Sequence, residues 1–494
     1  MPTQAFGLAL EILFSWPTMG FVIGGVLLGI FIGSLPGLGP DLGMAVMLPL
    51  TLPLSGVDAI ILLVGVYSGA LYGGSISAIL INVPGTAASA ATTFDGYPMA
   101  QKGQALVALT TSASASSIGG FFTIIALFVL SPVLIAIVLA FGTPEYFLMA
   151  VLGLAMIAVI ARGSMLKGLL MGAFGFLLAT IGVAPMVFQQ RYTFGSVALY
   201  DGIDFVAVLI GLFAIAEMFK LANQEGGISG GAELTGNILD GVRNVFNHKL
   251  LMLKSAFIGM GIGSIPGAGA TVSNFLSYAE AVRSIPEPDV PFGEGSAEGL
   301  IASEASNNGT VGGSLIPTMS FGIPGSASTA VLLGGLLMHG LRPGPQLFAE
   351  QLEITYSVFL ALMVGNVIIL AVGLGFVSYA SYLTRIDTEL IVPVVLVLAM
   401  TGSFALRRNW LDPVTILVLG VIGFYMFKHD YSVIAFVLGV ILGPIAEENF
   451  HRSLVLSDGS YAIFVTQPLS LLLVILIVLI LFGPALSGLI KSRL

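Results

Sequence analysis

The chain has 494 residues, of which 56% are hydrophobic and only 9% charged, with a net charge of −9 and no cysteine. A soluble domain is roughly a quarter charged, so a water-soluble fold is excluded, and the lack of cysteine excludes disulfides, thiolate metal sites and cysteine nucleophiles. The 17 Lys and Arg form no cluster that would bind nucleic acid.

Mean hydropathy is +1.03. Residues 119–141, 356–379 and 469–490 are almost unbroken apolar runs. Each reaches the ~18 residues that mark a transmembrane helix, and none shows the short polar–apolar alternation of a membrane barrel. The expected fold is an all-α polytopic integral membrane protein with about ten to twelve spans. The N-terminus, MPTQAFGLALEIL, lacks the basic opening of a signal peptide, so the first segment is expected to be retained. Glycine is abundant, at 63 residues; in membrane helices it permits close backbone approach or a break.

In chain order, Gly25, Gly29 and Gly33 sit four apart and lead into Gly33-Ser34-Leu35-Pro36-Gly37-Leu38-Gly39-Pro40, after which apolar sequence resumes at Leu42. Pro36 cannot continue a helix, so the chain is expected to break and turn within the membrane. Next come Tyr72-Gly73-Gly74-Ser75 and Asn82-Val83-Pro84-Gly85-Thr86. A Gly followed by Thr at a helix start offers N–H groups and a hydroxyl to an anion. Residues 221–250 form a polar linker, with Lys220, Arg243, Lys249 and Lys254 on or beside it, and it is thus expected on the cytoplasmic side.

Beyond the linker the motifs recur. Residues 259–269, GMGIGSIPGAG, match residues 29–39, GIFIGSLPGLG, at seven of eleven positions. Val311-Gly312-Gly313-Ser314 and Ile323-Pro324-Gly325-Ser326 repeat the second pair in the same order. The expected organisation is therefore an N-terminal transmembrane repeat over 1–220, the linker, a C-terminal repeat core over 251–384, and further helices over 385–494. Paired broken helices at matching places in two halves are how secondary transporters build midplane sites. The candidate substrate-binding residues are Ser34, Pro36, Gly37, Gly39, Asn82, Pro84, Gly85, Thr86, Ser264, Pro266, Gly267, Pro324, Gly325 and Ser326.

Between the second-half motifs lies the polar string Glu304-Ala305-Ser306-Asn307-Asn308-Gly309-Thr310. Asn307 and Asn308 suit a hard cation such as Na⁺, and Glu304 a proton, because ionisable residues at membrane depth are functional by default. Aligning Ser75 with Ser314 sets Ser68 opposite Asn307. Asp41 follows the first break without a counterpart after the second. Asp41, Ser68, Glu304, Asn307, Asn308 and Thr310 are the candidate cation-coupling residues. The competing classes are an anion channel and, more remotely, an intramembrane enzyme. The G-x-S-x-G string at 227–231 falls in polar sequence without a preceding strand, and Ser75 and Ser314 have no evident histidine base. No catalytic residue is assigned.

The strings GSLPGLGP, YGGSISAILINVPGTAASAATTFDGYPMAQKG and SEASNNGTVGGSLIPTMSFGIPGSASTAVLLGGLLMHGLRPGP resemble the large membrane subunit of the tripartite tricarboxylate transporter family, the TctA family, over nearly the whole chain. Ser306 and Gly309 stand where small alanines are expected around the Asn pair. The resemblance implies a multi-pass permease of the bacterial inner membrane, with inverted repeats. It implies two partners, a small TctB-like transmembrane subunit and a periplasmic TctC-like solute-binding protein, and a tri- or dicarboxylate substrate such as citrate. It implies symport with Na⁺ or H⁺ and no other cofactor; the chain carries no nucleotide-binding G-x-x-x-x-G-K-[ST].

Overall fold

The computed structural model describes residues 2–160, 165–184, 188–222, 234–376 and 391–491. The first half comprises α1 (Pro2–Phe14), α2 (Thr18–Ser34), α3 (Pro40–Met47), α4 (Gly56–Ile81), α5 (Thr93–Met99), α6 (Ala105–Ala140), α7 (Thr143–Ile160) and α8 (Met165–Ala179). A two-stranded hairpin, β1 (Gly182–Val183) and β2 (Gln190–Arg191), follows. A continuous span then runs through α9 (Phe205–Leu209), a π-helical segment (Ile210–Ile215) and α10 (Ala216–Ala222). The second half comprises α11 (Ile238–Asn247), α12 (Lys249–Gly263), α13 (Gly269–Ser284), α14 (Ala297–Phe321), α15 (Ala327–Met338) and α16 (Leu352–Gly375). The chain closes with α17 (Ile391–Arg407), α18 (Leu411–Lys428), α19 (Val433–Leu456), α20 (Ile463–Thr466) and α21 (Pro468–Lys491).

The molecule is an all-α polytopic membrane protein. Among the described residues, six helices are long and apolar enough to cross a bilayer, and the α1–α2 pair, bent by 69°, makes a seventh. Five shorter apolar helices accompany them. The polar stretch at 221–250 is not linker throughout: α11 occupies part of it, capped at its start by Asn237, whose side chain accepts the Leu239 N–H. The string at 227–231 lies outside the described residues.

Each half is built on a hairpin broken at its Pro-Gly motif and packed against a buried helix. In the first, α2 ends at Ser34, Gly37 takes φ +81°, and α3 starts at Pro40. In the second, α12 ends at Gly263, Gly267 takes φ +79°, and α13 starts at Gly269. Only glycine adopts such angles without strain, which explains the Pro-Gly pair in both.

The glycine stripes fix how closely the helices approach. A Cβ at Gly29 would lie 2.4 Å from the Val66 carbonyl oxygen, and one at Gly33 2.1 Å from that of Ala70. From the other side, Gly69 and Gly73 meet the carbonyls of Val26 and Ile30. The second half repeats this: Gly259 and Gly263 meet Ser306 and Thr310, while Gly309 and Gly313 meet Ala256 and Met260. Small residues admit this backbone-to-backbone contact, which any larger side chain forbids. We expect Gly29→Leu to lower stability by about 1–3 kcal/mol or more through overpacking, read as a drop in detergent-solubilised thermal midpoint, with Gly24→Leu as the matched control. Gly24 has nothing within 4 Å of its Cβ position.

These contacts also correct the internal alignment. Gly69 and Gly73 do the work of Gly309 and Gly313, so α4 and α14 correspond one residue away from the register set by Ser75 and Ser314. Ser68 therefore answers to Asn308, not to Asn307, whose counterpart is Tyr67. A string rich in Gly and Ser aligns by letters as well one residue out; packing decides between the two.

The same two helices give the relation between the halves. Tyr67 Oη lies 3.1 Å from Ser314 Oγ, and Asn307 Nδ2 donates to the Leu71 carbonyl at 3.0 Å. As α4 ascends, α14 descends. Equivalent helices packed antiparallel mean that the repeats are inverted, with a pseudo-two-fold axis in the membrane plane. The sequence revealed the duplication; the direction comes from the structure.

Candidate functional site

The two Pro-Gly motifs of each half, some fifty residues apart, come into direct contact. In the first half, a Cβ at Gly85 would lie 2.0 Å from the Gly33 carbonyl oxygen, and the Gly85 N–H donates to the Gly74 carbonyl at 3.1 Å. In the second, a Cβ at Gly325 would lie 2.6 Å from the Gly263 carbonyl oxygen. The hairpin break and the following loop thus form one non-helical knot per half, in which protein groups satisfy the irregular backbone. Asn82 closes α4 in the left-handed conformation (φ 57°), as Gly322 closes α14 (φ 68°).

The first knot opens into a cavity of about 340 Å³. Gly37, Gly39, Asp41, Pro84, Gly85 and Thr86 line it, together with Glu217 and Lys220 of α10. Ser34 and Pro36 are buried behind this wall, with Ser34 Oγ donating to the Phe31 carbonyl, and Asn82 is exposed at the end of α4. None of the second-half candidates reaches the cavity. Ser264 donates back to Gly261, Pro266 and Gly267 form the second turn, and Pro324, Gly325 and Ser326 are buried. Ser326 and Ser314 flank the Tyr67 hydroxyl, which joins the second knot to α4.

The helix starts expected to receive an anion are occupied by the protein's own groups. At α3, the Asp41 carboxylate stands beside the first-turn N–H groups of Asp41 and Leu42 without a capping hydrogen bond. At α15, Ser326 and Thr329 form a reciprocal capping box. Thr86 and Ser89 exchange bonds across a three-residue 3₁₀ turn. The available cation is Lys220, paired with Glu217 at 2.7 Å and still partly exposed. Sequence reasoning used Lys220 only as a marker of membrane side; its spacing from Glu217 on one helix face was the signal for more.

A second polar site lies between the halves. Glu304 is fully buried in α14, not in solvent at a loop end as its neighbours Glu294 and Glu298 allow from sequence. Thr92 Oγ1 donates to its Oε1 at 2.5 Å and Ser116 Oγ to its Oε2 at 2.7 Å. Ser75 and Ser112 stand beside the same carboxyl without meeting hydrogen-bond geometry. One turn on, Asn308 Nδ2 approaches Asn366 Oδ1 of α16 at 3.4 Å. The Oδ1 atoms of Asn307 and Asn308 are buried with no partner in this structure. Thr310 bonds Ser306 and Ser273, and Ser68 bonds the Gly65 carbonyl. Buried acceptors without donors are costly, and a cation or water is the ordinary remedy. Asn366, from an apolar run, was not foreseen; Gly120 of α6 makes room for it, since a Cβ there would lie 2.4 Å from its Oδ1.

Residues 19–438 match the family described as Tripartite tricarboxylate transporter TctA family. The chain is 35% identical over 416 residues to an Agrobacterium vitis protein described as an uncharacterized 52.8 kDa protein in the TAR-I ttuC' 3' region, covering 84% of this chain and 83% of that one. It is 28% identical over 209 residues to a second from the same organism, an uncharacterized protein in the TAR-II ttuC' 3' region, covering 42% of this chain and 86% of that one. No solved structure matches. Inverted broken hairpins, a cavity at their Pro-Gly knot and a family match over most of the chain lead to one conclusion: this multi-pass membrane protein belongs to the TctA family of transporters, the large permease component of a tripartite tricarboxylate system.

Proposed function

We propose that this permease component imports a di- or tricarboxylate of the citrate type across a bacterial inner membrane by symport with Na⁺ or H⁺. A periplasmic solute-binding protein delivers the substrate, and a small transmembrane subunit completes the system. The observation that carries this reading is the cavity at the first Pro-Gly knot, of a size suited to a small organic ion and lined by Lys220.

Its electrostatics support ion coupling. Asp41 and Glu217 face one Lys220, so the ionised cavity is net negative before a polyanion enters. Moving a trivalent anion inward against 100 mV costs roughly 7 kcal/mol more, at ~2.3 per charge. Accompanying cations offset both costs. The Glu304–Asn307–Asn308 cluster, Ser68 on the facing helix α4, and Asp41 at the first knot are the places for them. The family is one of transporters, and we assign no catalytic chemistry to the chain.

The test is uptake of labelled citrate and related carboxylates into proteoliposomes, with and without the binding protein. Accumulation is expected to need the binding protein and an inward Na⁺ or H⁺ gradient. Uptake that survives collapse of both gradients would refute symport, and steady ionic current without a binding protein would identify a channel.

A further inference from the structure

On the face of the second repeat bordering the described end of the linker, three donor side chains from separate segments converge. His248 joins α11 to α12, Asp289 lies in the loop between α13 and α14, and Glu298 is in the first turn of α14. One ligand atom from each lies within 4.8 Å of the other two. We propose that they form a divalent transition-metal site, of the zinc type, that fastens the outer ends of the second hairpin.

The histidine is set as a ligand. Its Nδ1 lies 3.0 Å from the Asn244 carbonyl, which can only accept, so Nδ1 carries a proton and Nε2 is the nitrogen left to ligate. Metal-binding histidines are commonly oriented by such a bond from the other ring nitrogen. Nε2 points at Glu298 Oε1, 3.6 Å away and too far for a hydrogen bond. Two ligands of a tetrahedral ion with bonds of ~2.0–2.2 Å stand about 3.3–3.6 Å apart, so the separation suits a metal between them. Glu298 is only 3% exposed and has no Lys or Arg partner among the described contacts. It accepts from Ser296 Oγ at 2.8 Å and from the Asp289 N–H at 3.1 Å, which holds its carboxylate in place. Asp289 is exposed on its loop with a carboxylate oxygen already within 4.8 Å of the other two donors, which leaves the fourth position of a tetrahedral ion to solvent.

The location gives the site a consequence. The same loop is gripped from inside by Asp95, whose Oδ1 accepts the N–H groups of Gly293, Gly295 and Ser296 at 2.9, 2.9 and 2.7 Å. Asp95 follows the Pro84-Gly85-Thr86 loop that lines the cavity. A metal on the outer side of residues 289–298 therefore stiffens the connection between the second hairpin and the wall of the first knot.

The experiment is metal titration of the purified full-length protein in detergent after chelator treatment. One equivalent of Zn²⁺ is expected to bind and raise the thermal midpoint, and Co²⁺ to give the intense visible absorption of a four-coordinate site. His248→Ala and Asp289→Asn should each weaken binding by about tenfold or more, His248→Cys should retain it, and His429→Ala should leave it unchanged. A wild-type protein that takes up no metal at free Zn²⁺ up to about 100 times a micromolar Kd overturns the site and leaves a simple His248–Glu298 contact. His248→Ala and Asp289→Asn variants that both bind like wild type, with melting curves showing them folded, overturn it as well.

Discussion

Replacing Glu304 with Gln is expected to abolish concentrative uptake while leaving the protein folded. The amide keeps the shape and can still bond Thr92 and Ser116, which now hold the carboxyl at 2.5 and 2.7 Å. What it loses is the ability to carry a negative charge. In the described structure no Lys, Arg or His contacts this fully buried carboxyl. A bare charge there is prohibitively costly, so a proton or a bound cation must balance it. Removing one partner of a buried ion pair costs ~3–5 kcal/mol, or about two to four orders of magnitude in ion affinity. Gradient-driven accumulation in proteoliposomes should fall by about that factor. Substrate exchange at equal ion concentrations should survive, because it needs no net ion movement. A variant that accumulates substrate as well as wild type would remove Glu304 from coupling. Asn308→Ala and Asn366→Ala separate the two ions: both should weaken Na⁺ dependence if a metal cation is carried, and neither should matter if only a proton is.

How much of this was legible in the sequence depends on which physical signal each feature leaves. Membrane location and helical class follow from composition, because 9% charge cannot cover a water-facing surface. The duplication was readable because Pro-Gly breaks leave few alternatives to those letters: Gly37 and Gly267 adopt φ +81° and +79°, which side chains resist. Register was misread by one residue where Gly and Ser repeat, since several alignments of such a string score alike and only backbone contact tells them apart. Inversion left no mark at all, because a helix reads the same whether it enters or leaves the membrane. The contact between Gly33 and Gly85 is a matter of three-dimensional closure and likewise invisible. Lys220 illustrates a different loss. A basic residue beside a polar stretch satisfies the positive-inside rule, and that sufficient reason hid its place in the cavity.

Lys220 also yields the second large effect, and one with opposite signs for two neighbours. If the carboxylate enters this cavity, the ammonium of Lys220 is its nearest described cationic partner, and Glu217 competes for it at 2.7 Å. Lys220→Gln should raise the KM for the carboxylate about threefold to fivefold, the ~0.7–1 kcal/mol expected of one partly solvated charge contact. Glu217→Gln should do the reverse, lowering KM by about threefold to tenfold, because it frees the ammonium and removes a repelling carboxylate from the wall. The double variant should fall between them and show less salt dependence than either single change. Both side chains face the cavity rather than the packed core, so their substitution should spare the fold, as equal melting midpoints would verify. Opposite shifts in KM at unchanged kcat place the substrate's charge beside Lys220. Equal and parallel losses in both variants would instead mean that the pair holds α10 in position and that the carboxylate binds elsewhere.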